Sequence, residues 1–163
     1  MKGRAKNVYQ MAGNLDTSMR FVVYSSAERL TKHKHSWKVW HTLRDFGCKV
    51  YVVAPGLTTY KGSKIYPDLN SLKGKVDVVI PCLRAEFLQD IVENTTGIDA
   101  KYIWFQENNW KQEFEVQCEE NGIKAIRGCV LKHRIYKKPI AYFNPCYWHG
   151  WKEKKVPYKY ERI

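Results

Sequence analysis

Between residues 19 and 128 two hydrophobic rhythms take turns along the chain. Residues 19–25 (MRFVVYS) form a compact apolar run with β-branched members, the pattern of a strand buried on both faces. Residues 34–46 change to helical spacing, with Trp37, Trp40 or His41, Leu43 and Phe46 three or four apart, and Gly47 ends the helix. Residues 49–54 (KVYVVA) predict a second strand, closed by Pro55-Gly56. A polar stretch with a short extended piece at Ile65 and Tyr66 leads to residues 68–72. Residues 76–81 (VDVVIP) predict the third strand. Residues 84–95 predict a helix with Phe87, Leu88, Ile91 and Val92 on one face. Residues 101–105 (KYIWF) predict the fourth strand, residues 110–121 a helix capped by Gly122, and residues 123–127 a short fifth strand.

Apolar strands separated by amphipathic helices predict an α/β fold, a doubly wound, Rossmann-like, five-stranded parallel sheet with helices on both faces. In such a sheet a ligand binds beyond the carboxyl ends of the strands, where the strand order reverses. That rule selects Ser25 and Ser26, Ala54 and Pro55, residues 81–84 and residues 106–109 before any motif is invoked.

Composition changes this picture in one respect. A hydrophobic fraction of 44% over 163 residues suits one globular domain with a sizeable core, but the net charge of +12 favours anionic partners. The five cysteines, Cys48, Cys82, Cys118, Cys129 and Cys146, are scattered and odd in number, which fits reduced thiols in the cytoplasm. The basic amino terminus lacks the apolar core of a signal peptide, and no run is long enough to span a membrane. There is no nucleophile elbow, no Walker loop and no recognisable acid pair.

Six blocks, in order, resemble the small CoA-binding domain family of Rossmann type, related to the CoA-binding part of succinyl-CoA synthetase. Ser36-Trp37-Lys38-Val39 with Leu43 and Phe46-Gly47 is similar to the family's Ser-Tyr-x-Val helix ending in glycine. VYVVAP, ending at Pro55, resembles its second strand end. Residues 61–69 resemble its G-x-x-x-Y-x-S-L segment, and Val76-Asp77-Val78-Val79 its V-D-V-V, with Arg84 near its Phe-Arg. KYIWFQ, ending at Gln106, resembles K-x-x-W-x-Q, and Gly122-Ile123 through Cys129 its closing block. The resemblance spans residues 19–130. It implies a domain over residues 1–131 that binds CoA or an acyl-CoA without catalysis.

The departures fall at the implied site. The family's Gly-Ala-Ser loop is Tyr24-Ser25-Ser26 here, and its Asn-Pro is Ala54-Pro55. Glycine serves in such a turn because a Cβ obstructs backbone approach to pyrophosphate. Two serine hydroxyls can donate hydrogen bonds instead, and a helix start near Lys34 to Ser36 supplies N–H groups. Lys32, His33, Lys34 and His35 are expected to add positive charge. The resemblance thus implies a ligand across Ser25, Ser26, Lys34, Ser36, Trp37, Ala54, Pro55, Arg84 and Gln106. The bland reading keeps Ser36 as a helix cap and residues 32–35 as a solvated loop.

Residues 132–163 differ in composition. Nine lysines and arginines face two glutamates, net +7, interleaved with Tyr136, Tyr142, Phe143, Tyr147, Trp148, Trp151, Tyr158 and Tyr160. This basic aromatic extension is expected to pack on the domain or to form a homodimer contact. Its alternative is single-stranded nucleic acid, which needs stacking rings and cations together. Cys129, His133, Cys146 and His149 are ligand types suited to zinc, but they lack the usual paired-cysteine hairpin, and no metal is expected. A dinucleotide-binding protein ranks last, because the chain has no G-x-G-x-x-G turn.

Overall fold

Side chains that alternate across the strands divide the interior into two cores, one on each face of the sheet. In the computed structural model, which describes residues 15–45, 47–133, 143 and 145, the order is β1 (Arg20–Tyr24), α1 (Ala27–Thr31), α2 (His35–Asp45), β2 (Lys49–Val53), β3 (Thr59–Tyr60), β4 (Ser63–Lys64), β5 (Val78–Pro81), α3 (Ile91–Gly97), β6 (Tyr102–Phe105), α4 (Gln112–Glu120) and β7 (Lys124–Arg127). The main sheet runs β2-β1-β5-β6-β7 and every pairing in it is parallel. Phe21, Val23, Val78, Ile80 and Trp104 meet Leu30 of α1 and Val39, Trp40 and Leu43 of α2. Val22, Val79, Ile103 and Phe105 meet α3 and α4 through Ile91, Val92, Phe114 and Cys118. Each fully buried large side chain contributes about 1.5–3 kcal/mol, so this two-sided burial fixes the register of β1, β5 and β6 and which side chains face each helix layer.

Three details differ from the pattern-based expectation. A short helix, α1, occupies part of what reads as loop; it carries one buried residue, Leu30, too few for a period to register. His33, in the left-handed region at φ 51°, turns the chain from α1 into α2. No helix joins β2 to β5. The small antiparallel hairpin β3–β4 and a 3-10 turn at Asn70–Leu72 fill that crossover. The segment 84–95 splits into a 3-10 turn at Ala85–Phe87 and α3, because Leu88 and Asp90 leave helical dihedrals (φ −114°, ψ 18° and φ −99°, ψ 13°). The break buries Leu88 and Ile91 but turns Phe87 outward, 64% exposed, against the expected apolar face.

The amino-terminal end of the sheet is held by one ion pair. Arg20 donates from Nε and Nη2 to the two carboxylate oxygens of Asp77 at 3.0 and 2.9 Å, and its backbone N–H donates to Asp77 at 2.7 Å. The Arg20 bonds hold the Asp77 carboxyl below its ordinary range. Among the described residues, no helix is long and apolar enough to cross a membrane.

Candidate functional site

The chain leaves β1 for β2 on one side and returns to build β5, β6 and β7 on the other. The strand order therefore reverses between β1 and β5, and a crevice opens beyond their carboxyl ends. It has two lobes. The inner, of about 530 Å³, is lined by Arg29, His35, Cys82, Gln106, Asn109 and Cys129, among others. The outer, of about 770 Å³, is lined by Tyr24, Ser26, Lys32, Lys34, Phe87 and others. Arg29, Leu83 and Arg84 line both, so the two lobes adjoin there.

Gln106 and Asn109 build the inner wall. Residues after β6 must turn back under the crevice, which leaves backbone groups without ladder partners, and these two amides take them up. Asn109 accepts from the Gln106 N–H at 2.9 Å and donates to the carbonyls of Pro81 and Leu83 at 2.7 and 3.0 Å, tying the end of β6 to the end of β5. The Gln106 amide donates to the Trp104 carbonyl at 3.2 Å, and its oxygen accepts from the Val130 N–H at 3.0 Å. His35, on the first turn of α2, meets that same oxygen at 2.8 Å. Burial pushes the His35 imidazole below its ordinary value; Arg29 and Lys38 add to this and the Gln106 bond opposes it. His35 therefore stays neutral near pH 7, a correction to its expected cationic role.

The outer lobe is basic and open. Ser26 caps α1, its hydroxyl accepting from the Arg29 N–H at 3.3 Å. Lys32 pairs with Glu28 at 2.6 Å and Arg84 lies 3.7 Å from Glu86, both at the surface. The Nε of Arg29 is buried and has no hydrogen-bond partner among the described residues.

Of the residues selected from sequence, Ser26, Lys34, Arg84 and Gln106 line this crevice. Ser25 is fully buried at its edge, with its N–H on the Val53 carbonyl and its hydroxyl on the Ser26 carbonyl. Ser36 is also fully buried, within α2, and its hydroxyl has no partner among the described residues; the backbone of Lys34 takes the cap position. Trp37 packs elsewhere, stacked on His33 at 4.1 Å between ring centroids, with Lys61 over its ring at 4.5 Å. Ala54 is buried and Pro55 exposed, and neither is among the lining residues. Tyr24 is the last residue of β1 and lines the outer lobe.

Arg29 was not legible in the sequence, since it belongs to the unanticipated helix α1; its place three residues after a serine is the one available signal. Among the described residues, no group of three or more histidine, cysteine or acidic side chains could hold a metal ion. The set weighed for zinc, Cys129, His133, Cys146 and His149, falls outside this statement, because Cys146, His149 and the His133 side chain lie outside the described residues. So do the residues of the basic extension, apart from Phe143, Pro145 and the backbone of Lys132 and His133.

An open parallel sheet with a crevice at its switch point defines a Rossmann-like α/β domain. Residues 27–134 match the model of a family described as CoA binding domain, and the chain belongs to that family. No curated protein matches the sequence. Among solved structures the chain is similar to Prb, a redesign for binding of the protein PH1109, at 21% identity and a TM-score of 0.63, over 71% of this chain and 81% of that one. A conserved hypothetical protein from Pyrococcus furiosus aligns at 18% identity and a TM-score of 0.60, over 67% and 92% of the two chains. Dinucleotide-forming acetyl-coenzyme A synthetase 1 of Ca. Korarchaeum cryptofilum, solved with phosphate and ADP, aligns at 17% and 0.56, over 67% of this chain but 25% of its own length. At these identities the likeness is one of fold.

Proposed function

We propose that this protein binds CoA or an acyl-CoA in the crevice without transforming it, as a cytoplasmic carrier, sensor or regulator. The observation that carries this reading is Arg29. Its buried Nε has no hydrogen-bond partner among the described residues, which is costly, and an anion in the crevice would complete it with a charge-assisted hydrogen bond. Lys34 and Arg84 lie beside it, so a ligand with several phosphates would meet several cations. Membership in the CoA binding domain family supports CoA as that ligand. Phosphates would lie near Ser26, Arg29, Lys34 and Arg84, and the rest of the ligand would reach toward Gln106. Ser25, Ser36, Trp37, Ala54 and Pro55 act in this reading through backbone and packing.

The test is calorimetric titration of the full chain with CoA, acetyl-CoA, NAD and a short single-stranded oligonucleotide, after native mass spectrometry of the purified protein. Saturable 1:1 binding of CoA, with acetyl-CoA recovered intact, is the expected result. Absence of CoA binding at millimolar concentration overturns it. Oligonucleotide binding that falls steeply with salt, and is lost on removing residues 136–163, would favour the basic extension instead.

A further inference from the structure

Cys129 brings a sulfur into the inner lobe, partly exposed, 4.0 Å from Nε2 of His35. The state of that nitrogen follows from Gln106. The Gln106 amide is oriented by its backbone partners, its oxygen facing the Val130 N–H and its nitrogen facing the Trp104 carbonyl. The oxygen can only accept, so Nε2 of His35 carries the hydrogen and donates it at 2.8 Å. A nitrogen that already holds a hydrogen cannot take the proton of a thiol. His35 is therefore no base toward Cys129. It is a fixed donor whose N–H dipole, shared between Gln106 and the sulfur, favours thiolate over thiol. Arg29, with its buried Nε lacking a hydrogen-bond partner among the described residues, lines the same lobe and acts in the same direction. The other described cysteines are in the opposite situation. Cys48, Cys82 and Cys118 are buried; burial pushes the thiols of Cys48 and Cys118 up to about 11 and that of Cys82 higher still. Thiolate character and access together decide which thiol of a protein reacts.

We infer that Cys129 exchanges with a phosphate-bearing disulfide drawn into the basic crevice, and so holds its thiol half as a mixed disulfide. The thiolate of Cys129, its proton lost to water, attacks one sulfur of the disulfide. A new S–S bond forms to Cys129 as the old S–S bond breaks, and the departing sulfur leaves with the electron pair and is protonated by water. Cys129 is oxidised, half of the disulfide is reduced to thiol, and no further oxidant is consumed. His35 is a positioning residue in this step. The choice of CoA disulfide as the partner rests on the proposed function; the reactivity of the thiol does not.

The full chain, reduced and desalted, is exposed to CoA disulfide and in parallel to glutathione disulfide, quenched with acid and followed by intact mass and peptide mapping. One CoA-sized increment on the peptide that contains Cys129 is expected, formed at least about tenfold faster than the glutathione adduct because the crevice concentrates the phosphates. Cys129→Ser removes it. His35→Phe slows it about three- to tenfold and moves the pH midpoint of Cys129 alkylation upward, which a merely structural role would not do. Equal rates with the two disulfides would uphold the thiol while counting against CoA recognition. No adduct on Cys129 with either disulfide, or an adduct confined to the Cys146 peptide, overturns the inference, and the mapping needs no variant to say so.

Discussion

The two lobes of the crevice meet at Arg29 and are built from opposite chemistry. In the inner lobe the amides of Gln106 and Asn109 are buried, and each uses both its oxygen and its nitrogen on neighbouring protein groups. In the outer lobe the charges are exposed, and their ion pairs, Lys32 with Glu28 and Arg84 with Glu86, are of the solvated kind that contributes little. A polar group whose partners are all internal holds the fold. A cation held only by a solvated ion pair, or by no bond among the described residues, is available to a ligand. Residues of one crevice should therefore separate on mutation into those that cost stability and those that cost affinity.

The largest effect belongs to the inner lobe. Gln106→Ala removes at once the bonds that the Val130 N–H, the His35 N–H and the Trp104 carbonyl make to this amide. At about 1–3 kcal/mol for each buried group left unsatisfied, less what relaxation and water recover, urea unfolding should show a loss of about 2–4 kcal/mol. If the variant instead keeps its unfolding midpoint and loses CoA affinity, Gln106 is a ligand contact and the division between lobes fails.

Arg29→Ala should invert that outcome. Loss of a charge-assisted bond to phosphate weakens CoA binding about 10- to 100-fold by calorimetry, while stability holds or rises, since the buried Nε makes no bond among the described residues. Lys34→Ala should cost only about two- to fivefold, and that difference should vanish in high salt, because Lys34 is exposed. Equal losses for the two variants would blur the distinction between a cation with a buried donor and one at the rim.

The same contrast explains how much could be read from residues alone. Strands β1, β2, β5, β6 and β7 were legible because burial on both faces writes continuous apolar runs such as FVVY and DVVI. The end of the sheet that carries the site followed from strand order. The outer lobe was partly legible, with Ser26, Lys34 and Arg84, since loops at strand ends advertise charge. The inner lobe was not. Gln106 was selected as a contact, but its partners His35 and Val130 lie 71 and 24 residues away in sequence, and no spacing rule links them. Ser36 and Trp37 carry the resemblance to the family, yet their side chains serve packing within and beside α2. Arg29 escaped because a five-residue helix with one buried leucine leaves no period to detect.

The smallest effect tests the neutrality of His35, on which the inner lobe's donor geometry depends. Burial holds its imidazole below the ordinary value of about 6.5, and His41 is lowered in the same direction, first by burial and then by Arg44. Above pH 7.5 both the folded and the unfolded chain keep these rings neutral, and they add no pH dependence. As pH falls through 6.5 the unfolded chain takes up protons that the folded chain refuses, so stability declines toward pH 5.5, with each ring contributing no more than about 1.4 kcal/mol per pH unit. The carboxyls held low by their bonds, Asp77, Glu28 and Asp16, act in a lower window: their contribution is present above the ordinary carboxylate range and is lost as pH falls through their folded values. Urea midpoints between pH 5.5 and 7.5 thus read the histidines. His35→Gln should flatten the slope while retaining an N–H for Gln106. A slope unchanged by that substitution would mean that His35 accepts a proton in the folded chain. The inner lobe would then carry charge like the outer one, and the Cys129 sulfur would face a cation instead of a neutral donor.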